Sequence, residues 1–121
     1  MNTPIEESVN RIKQTVNWFP GLLLGLERQC GKSRAILELV HEKHAGNAFI
    51  FSPRPELAAW MKVCYRNLFP HSNQACQAFL LNHVGKSDWP IYIDEWWLLA
   101  KNTQKALVKT GRVVCRLGTE W

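Results

Sequence analysis

Short apolar runs alternate with segments of helical periodicity along most of this 121-residue chain. An apolar run bounded by turn residues predicts a buried strand, whereas apolar residues three and four apart predict a helix with one buried face. Strands are predicted at 22–26, 47–52, 91–95 and 112–117, and helices at about 4–17, 33–45, 55–70, 73–84 and 98–109. This alternation predicts an α/β fold with a short, mostly parallel sheet of about four strands, covered by helices on both faces.

The first helix has the clearest start. Thr3 to Glu6 form a capping box with proline at the first helical position, and Pro20-Gly21 provide a stop. Between them an apolar stripe follows helical spacing: Ile5, Val9, Ile12, Val16 and Phe19. The length suits one domain, 1–121, in which 1–20 form an amphipathic helix and 21–121 form the core.

Composition narrows the cellular compartment in which the chain is expected. No apolar run approaches the roughly 18 residues of a membrane span, and the N-terminus is acidic and polar where a signal peptide would be basic and then apolar. The chain is therefore expected in the cytoplasm. The four cysteines form no CxxC pair and are predicted to be free thiols: Cys30, Cys64, Cys76 and Cys115.

The basic charge is concentrated near the C-terminal end. The net charge is +5, and from residue 96 to 121 five basic residues face a single acidic one, Glu120. Lys101, Lys105 and Lys109 fall on one face of a predicted helix. Such a row suits a polyanion bound without sequence preference, and it is also typical of an ordinary solvated helix face.

The stretch GLERQCGKS, residues 25–33, ends like a phosphate-binding loop. The usual glycine is displaced, because Gly25 comes one residue early and Leu26 holds its place. A strand before the loop and a helix after it would nevertheless cradle phosphates. Lys32 would then neutralise the β- and γ-phosphates, and the Ser33 hydroxyl would bind Mg²⁺. The alternative is a chance tripeptide at a helix start.

A second feature is the strand that leads into Asp94 and Glu95. Carboxylates at the C-terminal end of a parallel strand lie where open α/β sheets bind ligands. Asp94 would hold Mg²⁺ through water, and Glu95 would orient and deprotonate an attacking water. A solvated strand end is the simpler alternative, but the pair and the loop together predict a nucleotide site. Trp96 and Trp97 follow directly; they would stack on a base if exposed, or pack a helix onto the sheet.

These segments resemble one family. LERQCGKS resembles the variant phosphate loop of phage and viral DNA-packaging terminases, in the ATPase domain of the large subunit, where Arg-Gln-x-Gly-Lys-Ser/Thr replaces the glycine-first form. AFIFSPRPELAAWMKVCYRNLF is similar to the second strand and helix of terminases and related helicases. IYIDEW resembles their acidic strand, and RVVCRLGTEW resembles the strand that ends in Gly-Thr. The four landmarks occur in family order over residues 22–121.

The resemblance implies a three-layer P-loop NTPase-like fold, truncated relative to the family, that binds ATP and Mg²⁺. It implies nucleotide contacts from one loop: Arg28, Gln29, Cys30, Gly31, Lys32, Ser33 and Arg34. Arg28 would also act as an arginine finger in cis, unless it is a solvent-facing arginine or pairs with Glu27. Thr119 would couple hydrolysis to motion, and Arg54 would touch a nucleic-acid backbone. The implied partners are double-stranded DNA and a phage motor or host protein in a bacterial cell, with oligomers among the options.

Departures from the family qualify the expected activity. Terminase large subunits continue through a fifth strand, further motor elements and a nuclease domain, which residues 1–121 do not include. The resemblance therefore implies a minimal ATPase or a remnant that binds nucleotide and engages a partner; a small nucleotide kinase is a further alternative. The missing strand would leave the loop strand at a sheet edge, where another chain or the helix at 4–17 would cover it.

Overall fold

The structure is a computed structural model, and it describes residues 4–26, 31–44, 47–52, 68–70, 72–82 and 88–119, with backbone alone at 68–70. Its helices are α1 (Pro4–Trp18), α2 (Lys32–His44), α3 (Asn73–Asn82) and α4 (Lys101–Lys109), with a 3₁₀ turn at Trp96–Leu98. Its strands are β1 (Leu23–Leu26), β2 (Phe49–Ser52), β3 (Leu68–Pro70), β4 (Ile91–Ile93) and β5 (Val113–Thr119).

The strands form one sheet in the order β1-β5-β4-β2-β3, and every neighbouring pair is parallel. The predicted α/β class and the parallel sheet are confirmed, and all four predicted strands are present. β3 is an addition, because residues 68–70 were predicted to end a helix that began at Pro55. Leu68 instead pairs with Ile50, and Pro70, which has no N–H to donate, ends a strand at the sheet edge.

Helices bury both faces of the sheet. On one face, α1 and α2 pack over residues from three strands, Ile50, Tyr92 and Cys115 among them. On the other face, α3, the 3₁₀ turn and α4 pack over Phe49, Phe51 and Ile93. Strands buried on both sides explain why the strand segments are continuously apolar instead of alternating.

α1 packs against α2 through the middle of its predicted stripe. Val9, Ile12 and Val16 are buried, whereas Ile5 and Phe19 at its two ends are exposed. Lys13 ties the two helices together, with its Nζ 2.6 Å from Oε1 of Glu42. The three central residues of the predicted stripe are therefore buried, and the two terminal ones are not.

β1 lies at an edge of the sheet, as predicted for the strand before the loop. Its partner is β5, and no strand within the described ranges pairs with its outer edge. Leu24 and Leu26 pack against the cluster that α1 and α2 form, so α1 contributes to covering the face of the sheet here.

The segment predicted as one helix at 98–109 is broken. The 3₁₀ turn at Trp96–Leu98 precedes α4, and Leu99 and Ala100 separate the two. The Gln104 amide donates to the carbonyl oxygens of Trp96 at 3.0 Å and Leu99 at 3.2 Å, so this side chain bridges the turn and α4 across the break.

Two further findings concern predictions from composition. Within the part of the chain that the structure describes, no helix is long and apolar enough to cross a bilayer.

Cys76 and Cys115 are free and buried, and burial raises the pKa of the Cys76 thiol to about 11. Both thiols are therefore protonated at neutral pH; Cys30 and Cys64 lie outside the described residues.

Candidate functional site

Five predicted site residues meet at the carboxyl ends of two strands and the start of one helix. Lys32 and Ser33 begin α2, Asp94 and Glu95 follow β4, and Thr119 ends β5. Because parallel strands end at the same edge of the sheet, residues far apart in sequence come together there. The contacts among these five side chains define what we call the strand-end cluster.

Ser33 and Asp94 form the buried half of the cluster. The Ser33 hydroxyl donates to Oδ2 of Asp94 at 2.7 Å, and Asp94 is only 2% exposed. Its second oxygen, Oδ1, is buried and has no hydrogen-bond partner among the described residues. Burial raises the pKa of the Asp94 carboxyl, against the Ser33 hydrogen bond, which lowers it. A buried carboxylate with one free oxygen is suited to hold a cation.

Glu95 is held by two partners in the other half of the cluster. Its Oε1 lies 3.3 Å from Nζ of Lys32 and accepts a hydrogen bond from the Thr119 hydroxyl at 2.6 Å. The Lys32 and Glu95 side chains are 10% and 20% exposed, so this ion pair is largely shielded from water. The contact brings together the ends of β4 and β5 and the start of α2.

Glu95 also has an unusual backbone. Its φ of 54° and ψ of 51° place it in the left-handed helical region, the one described non-glycine residue with positive φ. This conformation costs a residue with a Cβ about 1 to 2 kcal/mol. Strained backbone concentrates at functional sites, where the surrounding structure holds it in place. In this backbone conformation the Glu95 side chain contacts Lys32 and Thr119.

Gly31 precedes the cluster in a conformation that requires glycine. Its φ is +88°, and a Cβ added there would lie 2.5 Å from Cγ2 of Val9 on α1. The N-terminal helix therefore packs directly on the end of the loop. Any residue larger than glycine would both strain the backbone and push α1 away from α2.

Gly31→Ala is expected to lower the free energy of unfolding by about 2 kcal/mol or more, from left-handed strain plus the Val9 overlap. Gly111→Ala is the matched control, because Gly111 has a φ of +71° with no atom within 4 Å of an added Cβ. Urea denaturation of both variants separates strain from overlap, and Val9→Ala should cost less stability in the Gly31→Ala background than in wild type. Equal losses at the two glycines would contradict the packing of α1 on the loop.

Asp94→Asn is expected to make the free energy of unfolding depend less on pH, because asparagine has no carboxyl to titrate. Since the folded-state pKa of Asp94 is raised, the native state holds this proton more tightly than the unfolded state does, and wild-type stability declines as pH rises through that pKa. An asparagine there carries no charge to bury. Thermal unfolding between pH 4 and 8 checks this: the decline should be smaller in the variant, and an equal decline in both proteins would contradict it.

The fit of Mg²⁺ can be judged from these atoms. Mg²⁺ keeps several waters and takes one or two protein ligands together with substrate phosphates. The Ser33 hydroxyl and the unpartnered Oδ1 of Asp94 fit that pattern. A site built from three or more His, Cys, Asp or Glu side chains is not found among the residues that the structure describes.

The other residues predicted to contact nucleotide or nucleic acid are not part of the described cluster. Arg28, Gln29, Cys30 and Arg54 fall outside the described residues. Arg34 lies on the surface of α2, where its Nε donates to Oε2 of Glu38 at 3.1 Å.

The residues singled out near the C-terminal end divide into buried and exposed ones. Lys101, Lys105 and Lys109 are exposed along α4. Trp96 is buried in the core, whereas the Trp97 side chain is 53% exposed. Of the two alternatives for this pair, packing a helix onto the sheet therefore applies to Trp96, and the exposure that stacking on a base requires applies to Trp97.

Arg116 is a polar residue that the sequence did not single out. Its guanidinium donates twice to the carbonyl oxygen of Gly21, from Nε at 3.0 Å and from Nη2 at 2.6 Å. The same group lies 5.1 Å from the centre of the Trp96 ring. Its position in the sequence could have indicated a side chain on the α4 face of the sheet, because the buried side chains of Cys115 and Leu117 on either side point to the opposite face of β5.

Comparison with known proteins adds no assignment, since no protein-family model, curated protein or solved structure matched the chain. Function must therefore be argued from the strand-end cluster and the surfaces around it.

Proposed function

We propose that this protein is a minimal P-loop ATPase domain, similar to the ATPase domain of terminase large subunits, that binds Mg·ATP and hydrolyses it. The observation that carries the proposal is the strand-end cluster, in which Lys32 pairs with Glu95 while Ser33 bonds Asp94. A cation, a hydroxyl and two carboxylates at a helix start are the groups that phosphoryl transfer with Mg²⁺ requires.

The start of α2 supports phosphate binding. The first described bond of this helix joins the Ala35 N–H to the Gly31 carbonyl at 2.9 Å, so the N–H groups of residues 32–34 have no acceptor within the helix. Such N–H groups and the positive end of the helix dipole attract anions. Lys32 adds a full positive charge at the same place, and a triphosphate would exchange with Glu95 as its counter-charge.

Ser33 and Asp94 would hold the magnesium ion. Magnesium supplies neutralisation of the phosphate oxygens and a fixed position for them. For this chain, the task is to keep the Ser33 hydroxyl and the Asp94 carboxylate at one spot, which the 2.7 Å hydrogen bond and the burial of Asp94 support.

Glu95 is the proposed general base. Once phosphates pair with Lys32, the Glu95 carboxylate would be available to accept a proton from an attacking water. Thr119 would keep it aimed, because its hydroxyl donates to Oε1 at 2.6 Å. This contact gives the proposed coupling residue a physical role: a shift at the end of β5 would move the base. Double-stranded DNA and a phage motor or host protein remain the proposed effectors.

A nucleotide-binding module without turnover is the second candidate. The contacts of Glu95 favour it, because Oε1 of its carboxylate already pairs with Lys32 and accepts from the Thr119 hydroxyl. Both candidates bind nucleotide in the same place, and they differ in whether Glu95 leaves Lys32 when ATP binds.

Thermal unfolding with nucleotides tests the shared part of the proposal. A ligand at 100 times its Kd stabilises a protein by about 2.7 kcal/mol, which for a domain of this size is roughly 10 °C in Tm. We expect ATP and ADP with Mg²⁺ to raise Tm, with smaller shifts for AMP and for ATP in EDTA. Equal Tm with and without every nucleotide would contradict the site, and transfer of phosphate to an added nucleoside would identify a kinase instead.

A further inference from the structure

A groove opens between α4 and β5 on the face of the sheet opposite α1 and α2. Its volume is about 370 Å³, and it is lined by Trp96, Gln104, Lys105, Val108, Lys109 and Arg116. We call it the α4–β5 groove. Trp96 and Val108 contribute apolar surface, three of the six lining residues are cationic, and none is acidic.

The cations of the groove are available to a ligand. Among the described residues, Lys13, Lys32 and Arg34 form ion pairs, whereas Lys105 and Lys109 form none. The two lysines stand one helical turn apart, about 6 Å along α4, and Lys101 continues the row by another turn. This spacing presents a line of ammonium groups instead of a single point charge.

Arg116 fixes the opposite wall of the groove. Its bonds to the Gly21 carbonyl use two of the five guanidinium N–H groups, and its plane lies near the Trp96 ring. The guanidinium is therefore held in place before any ligand arrives, so that binding an anion costs little side-chain entropy.

Trp97 extends the groove with an exposed aromatic surface. Its indole lies against Gly118, where an added Cβ would overlap the ring. Gly118 follows Arg116 by two residues on β5, so both face the same side of the sheet and lie about 7 Å apart. Trp97, 53% exposed, thus stands at the end of the groove towards the strand-end cluster.

We propose that the α4–β5 groove binds single-stranded nucleic acid, with phosphates on Lys105, Lys109 and Arg116 and a base stacked on Trp97. A line of cations that follows a backbone, beside an aromatic side chain on which a base stacks, is how proteins bind single strands without sequence preference. The proposal does not depend on the nucleotide site, because none of these residues belongs to the strand-end cluster.

Three other occupants fit less well. A duplex keeps its bases stacked inside, so it offers phosphates to the lysines but nothing to Trp97 or the apolar floor. A second copy of this chain carries the same net charge of +5 and the same cationic groove. An acidic protein segment matches the lysines, yet it lacks the base faces that an exposed indole would stack on.

Fluorescence anisotropy with a labelled oligothymidine of about 15 nucleotides tests the proposal on the full chain at low salt. The Lys105→Gln/Lys109→Gln variant should raise Kd about tenfold or more and reduce the slope of log K against log salt by about 1.4, from two phosphate contacts at about 0.7 each. Trp97→Ala should raise Kd at least about fivefold, and Trp97→Phe should recover most of that loss.

The matched control is Arg11→Gln/Lys43→Gln, which removes two exposed charges from the opposite face of the sheet. We expect its Kd to stay within about twofold of the wild-type value. Lys32→Ala should also bind the oligonucleotide as wild type does, which separates this groove from the nucleotide site. Circular dichroism confirms that each variant is folded.

Several results would overturn the proposal. A control variant that loses as much affinity as the groove variant would show that binding depends on net charge alone. A Lys32→Ala variant that loses affinity would place the phosphates at the strand-end cluster. Duplex binding as tight as single-strand binding, with no effect of Trp97→Ala, would identify a duplex surface. Displacement by polyglutamate at equal charge concentration would identify an acidic protein as the partner.

Discussion

Replacing Lys32 by alanine is expected to weaken Mg·ATP binding by at least about 100-fold. Each charge-assisted contact between an ammonium and a phosphate contributes roughly 1.5 to 3 kcal/mol, so two such contacts correspond to at least this factor. The Lys32 side chain is 10% exposed and reaches Glu95, which places its charge at the start of α2, where the phosphates would lie.

Titration calorimetry with ATP and Mg²⁺ measures this loss. Lys43→Ala is the control, because Lys43 is an exposed lysine near the other end of α2. Its removal changes the net charge equally and should leave the Kd within about twofold. Equal ATP affinity in wild type and Lys32→Ala would contradict the assignment of this loop as the phosphate site.

Glu95→Gln is expected to keep ATP binding and reduce phosphate release by about 10² to 10⁴-fold, the usual contribution of a general base. Glutamine has nearly the same shape as glutamate, and its amide oxygen can still accept from the Thr119 hydroxyl and from Lys32. The variant therefore removes proton acceptance and leaves the surrounding geometry in place. Its affinity for ATP should equal or exceed that of wild type, because Lys32 no longer pairs with a charged carboxylate.

Glu7→Gln provides the control for this variant, since it neutralises an exposed carboxylate on α1 that is not one of the five cluster residues. It should release phosphate at the wild-type rate. A Glu95→Gln variant as active as wild type would exclude Glu95 as the base and leave the role to another group.

The sequence predicts the layers of the fold well because continuous apolar runs and helical stripes are strong local signals. β3 is the exception. A three-residue strand beside a proline has no periodicity of its own, and Leu68 fits a helical face as well as a strand. The sheet edge provides its hydrogen bonds, and that tertiary contact is not visible in a local pattern.

The candidate site, like the fold, can be predicted from the sequence only in part. Residue type and order predict that Lys32, Ser33, Asp94 and Glu95 belong together, because parallel strands end at one edge. The left-handed backbone of Glu95 and its double contact are not predictable from the sequence, since both depend on how β5 ends beside β4. The same holds for Trp97, whose exposure depends on the break between the 3₁₀ turn and α4.

Phosphate release from ATP by wild type, compared with Glu95→Gln at equal saturation with Mg·ATP, tests the central claim most directly. The account predicts steady release by wild type and release at least about 100-fold slower from the variant, although both bind the nucleotide. Equal rates would contradict the assigned base. Binding without release from either protein would contradict the ATPase assignment and leave a nucleotide-binding module in its place.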